Sequence, residues 1–157
     1  MSETARIADQ LRRAFRGEAW HGDSLFEILE GVTAAQAAAH PVKHAHSIWE
    51  LVLHIAAWDG AVRRRLAGES VDLSDDQNFP PVMDSSEGAW RRSLDHVKRM
   101  HDELIQAVVA FPDERLGDKV PGKTKEPDWY NFYFMLHGVV QHELYHAGQI
   151  AVLKKAL

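Results

Sequence analysis

The sequence predicts an all-α protein, a four-helix bundle built as a single domain over residues 1–157. Four long segments carry apolar residues at steps of three and four, and no segment alternates apolar and polar residues as a half-buried strand does. A chain of 157 residues is long enough for one core and short for two typical domains. The connections after the second and third helices are long, so the order of the helices in the bundle need not be simply up and down.

The first helical segment runs from about residue 3 to residue 15. Its apolar face consists of Ile7, Leu11, Ala14 and Phe15. Gly17 and Gly22 interrupt the pattern, which is compatible with one kinked helix or with two separate helices. Thr33 with Gln36 three residues later forms a capping box, which predicts a short alanine-rich turn after it.

The second long helix is predicted from a capping box of Ser47 and Glu50 to a stop at Gly68. Its apolar stripe consists of Ile48, Leu51, Val52, Ile55, Trp58, Val62 and Leu66. The position of His54 falls within this stripe by its spacing. We therefore expect the imidazole of His54 to face the core.

The third helix is predicted over about residues 86–110, after an acidic connection without regular periodicity that we expect to cross the end of the bundle. Asp84 with Glu87 can cap its start. Its stripe consists of Trp90, Leu94, Val97, His101, Leu104 and Val108. We interpret His101 as a packing or boundary residue of this face.

The fourth helix is predicted to start between Trp129 and Phe132 and to run to about Lys154, after a connection rich in proline and glycine. Its stripe consists of Met135, Val139, His142, His146, Ile150 and Leu153. Gly138 lies one turn before His142 on the same face, where the missing side chain leaves space.

The histidine pair of the fourth helix predicts a metal site. Two imidazoles four residues apart on one helix face can bind a single cation, and His54 supplies a third ligand to His142 and His146. Three neutral imidazoles leave coordination positions open, which is typical of a catalytic site. Zinc, nickel, iron(II) and cobalt all accept such ligands, and ligand type alone does not choose among them. We expect zinc or nickel first, with iron or cobalt as alternatives. The alternative is that these histidines are hydrogen-bonded packing residues. Candidates for orienting the ligands through their second ring nitrogens are Glu50, Asp59 and Gln149.

The same stretch also satisfies HExxH, the zinc-protease signature, in which Glu143 would be the general base. Only 11 residues follow His146, and none of them is His, Glu or Asp, so the downstream third ligand of such enzymes is missing. Glu143 is offset by about 100° from His142 around the helix, which suits an exposed or rim position. We therefore disfavour a peptidase.

Composition excludes several classes of function. The sequence contains no cysteine, so any thiol chemistry requires an external thiol and no disulfide forms. A net charge of −5 argues against nucleic acid as a partner, and we interpret the basic run at residues 63–65 as a solvated helix face. No signal-peptide layout and no apolar run near 18 residues is present, so we expect a cytoplasmic protein without membrane association.

Two motifs resemble those of a known family. The stretch SIWELVLHIAAWD, residues 47–59, resembles the first histidine helix of the DinB/YfiT-like superfamily, and HELYHAGQI, residues 142–150, is similar to its HxxxHxGQI ending. The likeness extends over most of the chain. The resemblance implies a four-helix bundle, a metal site at His54, His142 and His146, and a homodimer. It also implies chemistry, since the superfamily includes S-transferases that use bacillithiol, mycothiol or glutathione, and members described as metal-dependent hydrolases.

The leading hypothesis is a metal-dependent S-transferase, in which the ion activates a low-molecular-weight thiol for addition to a small-molecule electrophile. One alternative is a hydrolase that uses metal-bound hydroxide, and a second is a non-catalytic metal-binding or structural bundle. The residues predicted to line the pocket are Trp58, Trp129, Tyr133 and Tyr145.

Overall fold

The computed structural model of the chain describes residues 1–123 and 125–157, and its fold class is all-α, as the sequence predicts. The α-helices in these residues are α1 (Glu3–Arg16), α2 (Leu25–Leu29), α3 (Ala34–Ala38), α4 (Ile48–Leu66), α5 (Asp75–Asn78), α6 (Glu87–Ala110) and α7 (Phe132–Lys155). A 3-10 turn covers Asp113–Arg115. The described residues contain two isolated β-bridges and no strand. None of the described helices combines the length and apolar character needed to cross a bilayer.

Four long helices form the body of the fold. Helix α4 packs against α6 and α7, and α1 packs against the same two helices. The short helices fill the remaining sides, since α2 contacts α1 and α7 while α3 contacts α4 and α6. The connection between α4 and α6 contains α5, which packs against α4. This connection therefore lies along α4 for part of its length and does more than cross the end of the bundle.

The helix starts follow local capping chemistry. The capping boxes predicted at Thr33 and at Ser47 are both present, with the side chains of Gln36 and Glu50 closing them. The prediction at the start of α6 is wrong, because the N-cap is Ser86, whose hydroxyl accepts from the backbone N–H of Ala89.

The carboxylate expected to complete the α6 cap has another role. Glu87 Oε1 accepts a hydrogen bond from the backbone N–H of Ala34, 2.9 Å away, and so ties the start of α6 to α3. Asp84 Oδ1 accepts from the backbone N–H of Ser86 just before the helix. Both residues therefore lie at the helix start, but neither occupies the capping position itself.

The apolar core consists of two clusters. One contains residues of α2, α3, the N-terminal halves of α4 and α6 and the C-terminal half of α7, together with Phe15 at the end of α1. The other contains the earlier part of α1 and the opposite ends of α4, α6 and α7. Between them, on α4, α6 and α7, lie the buried polar residues Asp59, His101, Glu143 and His146. A polar layer thus divides the core at mid-height, where buried polar groups must find partners.

Candidate metal centre

The three predicted ligands meet in the structure. Helix α4 carries His54, and one face of α7 carries His142 and His146. Nε2 of His54 lies 2.9 Å from Nε2 of His142, and one ring nitrogen from each of the three histidines lies within 4.8 Å of the others. Two lone pairs facing each other at 2.9 Å repel, so this arrangement requires a proton or a cation between them.

Hydrogen bonds fix the orientation of two of the rings. Nδ1–H of His54 donates to the backbone carbonyl of Asn78 at 2.7 Å, and Nδ1–H of His146 donates to Oε1 of Gln149 at 2.7 Å. With the proton held on Nδ1, the lone pair of Nε2 is free to bind an ion. Gln149 therefore has the orienting role predicted for it.

The electrostatics of the site favour neutral imidazoles. Burial lowers the pKa of His54 and of His146. Burial and the neighbouring His146 and His54 lower the pKa of His142 to about 3. A neutral imidazole is the form that binds a metal ion. Nδ1 of His142 is buried without a hydrogen-bond partner among the described residues.

The donor set therefore fits a divalent ion. Three imidazoles from two helices converge, two of them are held by outer acceptors, and all three have a lowered pKa. Three nitrogen ligands suit zinc, nickel, iron or cobalt and do not distinguish among them. The identity of His54, His142 and His146 as ligands remains a prediction to be tested by metal binding.

The connection between α4 and α6 completes one wall of the site, a role that no sequence pattern indicates. The ring of Phe79 stacks on the ring of His54, with centroids 4.1 Å apart and planes 8° apart. On its other face Phe79 stacks on His46, at 3.8 Å. Asn78 accepts from His54 through its carbonyl and from Trp58 Nε1 through its side chain. Two consecutive residues thus position both the ligand and its aromatic neighbour.

A second polar cluster lies in the middle of the protein, formed by Asp59, His101 and Glu143 from three different helices. Nδ1 of His101 lies 2.9 Å from Glu143 Oε1 and 3.4 Å from Asp59 Oδ2. Burial acts to lower the pKa of His101, but the two adjacent carboxylates, Asp59 at ion-pair distance and Glu143 within hydrogen-bond distance, outweigh it and raise the pKa to about 9. Burial and the charge of Asp59 raise the pKa of Glu143 to about 8, and burial raises the pKa of Asp59.

This cluster corrects three interpretations from the sequence. Glu143 is not at an exposed or rim position, since only 1% of its surface is accessible. His101 is more than a packing residue, because its imidazole joins two buried carboxylates while its ring stacks on Phe15 at 3.7 Å. Asp59 belongs to this cluster and does not orient a histidine of the metal centre.

The remaining orienting candidate, Glu50, has a different function. Its Oε2 accepts from the backbone N–H of Ser47 at 2.8 Å, closing the capping box of α4. The same oxygen lies 3.3 Å from ring nitrogens of His40 and of His46. Glu50 therefore caps a helix and contacts surface histidines. Its carboxylate makes no hydrogen bond to His54.

A small cavity of about 190 Å³ opens beside His142. Its walls include Trp58, Arg65, Tyr130, Phe134 and Gly138. A Cβ added at Gly138 would meet no other atom within 4 Å, so the space expected there is present. Among the four residues predicted to line a pocket, Trp58 lies on this wall.

The other three predicted pocket residues lie elsewhere. Trp129 is 58% exposed, and its ring lies outside the cavity against two wall residues, Phe134 at 4.8 Å and Tyr130 at 6.1 Å between ring centroids. Tyr133 packs against His137. Tyr145 is 65% exposed, and its ring lies 5.0 Å from that of His146, beside a separate surface groove.

Three residues of the cavity wall had no predicted role in a site: Arg65, Tyr130 and Phe134. Arg65 is buried, so the interpretation of residues 63–65 as a solvated face is wrong at this position. A signal existed for Phe134, which precedes Gly138 and His142 at steps of four on α7.

Comparison with known proteins supports the resemblance found in the sequence. The family model of the DinB superfamily matches residues 19–150, a range that includes all three histidines. Searches of curated proteins and of solved structures returned no match.

Proposed function

The chain belongs to the DinB superfamily, and from this premise we propose that it is a metal-dependent, thiol-dependent S-transferase. The observation that carries the proposal is the convergence of three neutral imidazoles beside an apolar cavity. His54, His142 and His146 would hold one divalent ion, zinc or nickel first. When bound, such an ion supplies Lewis acidity, which lowers the pKa of a thiol and makes the thiolate available at neutral pH.

The residues around the three histidines supply orientation and shielding. Asn78 and Gln149 hold Nδ1–H of His54 and His146, and so keep both rings in the tautomer that binds an ion. Phe79 covers one face of the His54 ring. The aromatic side chains of Trp58 and Phe134 line the cavity in which the electrophile would lie.

The reaction proposed is a substitution at carbon. The thiol sulfur forms a bond to the electrophilic carbon, the bond from that carbon to the leaving group breaks with its electron pair, and the thiol proton passes to solvent. Because the chain has no cysteine, the sulfur comes from a second small molecule. The proposal includes a homodimer and a cytoplasmic location, where low-molecular-weight thiols are kept reduced.

The test uses protein purified without a metal-affinity tag, stripped of metal and reconstituted separately with Zn²⁺ and Ni²⁺. Conjugation of an aryl halide is measured with glutathione, bacillithiol, mycothiol and 2-mercaptoethanol. We expect metal-dependent conjugation with at least one thiol, and we expect His142→Ala to lose both the bound metal and the activity. His137→Ala is the matched control, since His137 is on the same helix and outside the trio.

If none of the four thiols gives metal-dependent conjugation, the proposal is overturned. Hydrolysis of an ester or amide without any thiol would instead support the hydrolase alternative. Stoichiometric metal binding without either reaction would leave the non-catalytic bundle.

A further inference from the structure

The cavity beside His142 carries a buried positive charge. Arg65, in the last turn of α4, lines this cavity and is only 2% exposed. The guanidinium carbon lies 5.4 Å from the centroid of the Trp58 ring, which forms part of the same wall. Buried guanidinium groups normally have a carboxylate or phosphate partner, because removing the charge from water is unfavourable.

The protein neutralises this charge only in part. Nε and Nη2 of Arg65 both donate to the backbone carbonyl of Val71, at 3.1 Å and 2.7 Å. The nearest carboxylate oxygen, Oδ1 of Asp72, lies 3.8 Å from Nη2, beyond hydrogen-bond distance. Asp72 is exposed, and the same oxygen contacts Lys123, which is the main cause of the lowered pKa of Asp72.

One guanidinium nitrogen is left for a ligand. Nη1 of Arg65 makes no hydrogen bond to any of the residues that the structure describes. No acidic side chain lines the cavity among those same residues, and apart from His142 its walls are aromatic, aliphatic or glycine. A cation that lines an apolar cavity, and whose one carboxylate neighbour is exposed and shared with Lys123, provides a subsite for an anion.

We propose that Arg65 binds the anionic group of the compound that occupies this cavity, and that this compound is a small, mainly apolar molecule carrying a carboxylate. A volume of about 190 Å³ is below the ~300–1,000 Å³ of pockets for drug-sized ligands, which limits the apolar part to about one ring. The inference rests on the proposed function, because it places the carboxylate on one of the two reactants.

Direct binding tests the subsite independently of activity. Benzoate and benzamide have the same shape and differ in charge, and their binding to the metal-free protein is measured by ligand-observed NMR. We expect benzoate to bind at least about tenfold more tightly, since hydrogen bonds to charged groups contribute this much or more. We expect Arg65→Met to abolish the preference and Arg65→Lys to keep part of it. Equal binding of the two probes to the unmodified protein, or a preference that survives Arg65→Met, would overturn the inference.

Arg65→Met loses the hydrogen bonds to Val71 and could misfold for that reason. A second variant therefore tests the subsite without changing Arg65. Gly138→Leu places a side chain in the cavity at a helical position where a Cβ meets nothing within 4 Å. We expect it to fold normally by circular dichroism and to lose benzoate binding. Gly148→Leu is the control, because Gly148 is on the same helix with equal space and lines a different groove. Unchanged benzoate binding in Gly138→Leu would place the anion elsewhere and refute the subsite.

The reaction identifies which reactant carries the charge. The metal-loaded protein is assayed with 4-(chloromethyl)benzoate or 4-(chloromethyl)benzamide, each with 2-mercaptoethanol or 3-mercaptopropionate. An Arg65-dependent preference for the charged halide assigns the carboxylate to the electrophile, and one for the charged thiol assigns it to the thiol. Conjugation without any charge preference would refute the subsite and leave the transferase. Selective benzoate binding without conjugation would keep the subsite and refute the transferase.

Discussion

The buried cluster of Asp59, His101 and Glu143 should make the stability of the metal-free protein fall as the pH rises from 6.5 to 9. Asp59 and Glu143 raise the pKa of His101 from about 6.5 to about 9, so the folded state holds a proton that the unfolded state has already released. The stabilisation is fully present below pH 6.5 and is lost as the pH rises through 9. A difference of about 2.5 units corresponds to about 3 kcal/mol.

The other groups with shifted pKa values change stability either in the same direction or outside the range from pH 6.5 to pH 9. Burial raises the pKa of Glu143 to about 8, so its contribution is lost in the same direction, between about pH 4.5 and pH 8. The lowered pKa values of His54, His142 and His146 affect stability on the acid side of pH 6.5, where the unfolded state binds more protons.

The assay is urea unfolding in EDTA at pH 6.5, 7.5, 8.5 and 9.5. We expect the free energy of unfolding to fall by about 3 kcal/mol or more, equivalent to roughly 6–12 °C in Tm for a domain of this size. The triple variant Asp59→Asn, His101→Gln and Glu143→Gln removes all three titrating groups of the cluster and should show a nearly flat profile. The exposed-site control His21→Gln should follow the unmodified protein. A flat profile in the unmodified protein, or an equal slope in the triple variant, would refute the reasoning.

Three further predictions concern single substitutions. Gln149→Ala removes the acceptor of His146 Nδ1–H and should lower metal affinity about 10- to 100-fold, measured by competition with a chelator. The control Gln141→Ala, at an exposed position of the same helix, should change metal affinity little. Equal losses of affinity in both variants would contradict the orienting role of Gln149. Gly138→Ala should raise the free energy of unfolding by about 0.5–1 kcal/mol, because a helical glycine with free space around it gains from a methyl group; a loss in urea unfolding would show that the space is filled. Leu104→Ala, in the core of α6, should lower it by about 2–5 kcal/mol, and a loss below about 1 kcal/mol would contradict tight packing there.

The helical periodicity of the sequence was sufficient to predict that His54, His142 and His146 face the interior. His54 lies within the apolar stripe of α4, and His142 and His146 lie on one face of α7, so local spacing determined which rings face inward. The same reasoning failed for Glu143. Helix α7 contacts α1, α2 and α4, so it is buried over a wider arc than one stripe, and a charged residue beside that stripe is enclosed.

The residues of the α4–α6 connection could not be predicted from sequence patterns. Asn78 and Phe79 lie in a segment without periodicity, and their contacts with His54 join residues 24 or more positions apart. The burial of Arg65 was unpredictable for a different reason. An arginine near the end of a helix is typical of a solvated face, and its contacts with the carbonyl of Val71 and the ring of Trp58 become visible only in the structure.

Through the contacts of Asn78 and Phe79 with His54, an ion bound at the three histidines would be thermodynamically linked to this segment of the α4–α6 connection. Any free energy that an ion contributes by binding only the arrangement with His54 in place also stabilises the docked position of residues 78–79. Reciprocally, substitutions in residues 78–79, which are not themselves predicted ligands, would lower the affinity for such an ion. The rate of proteolysis in the α4–α6 connection, measured with and without added metal, would thus report metal binding without a substrate or knowledge of the reaction.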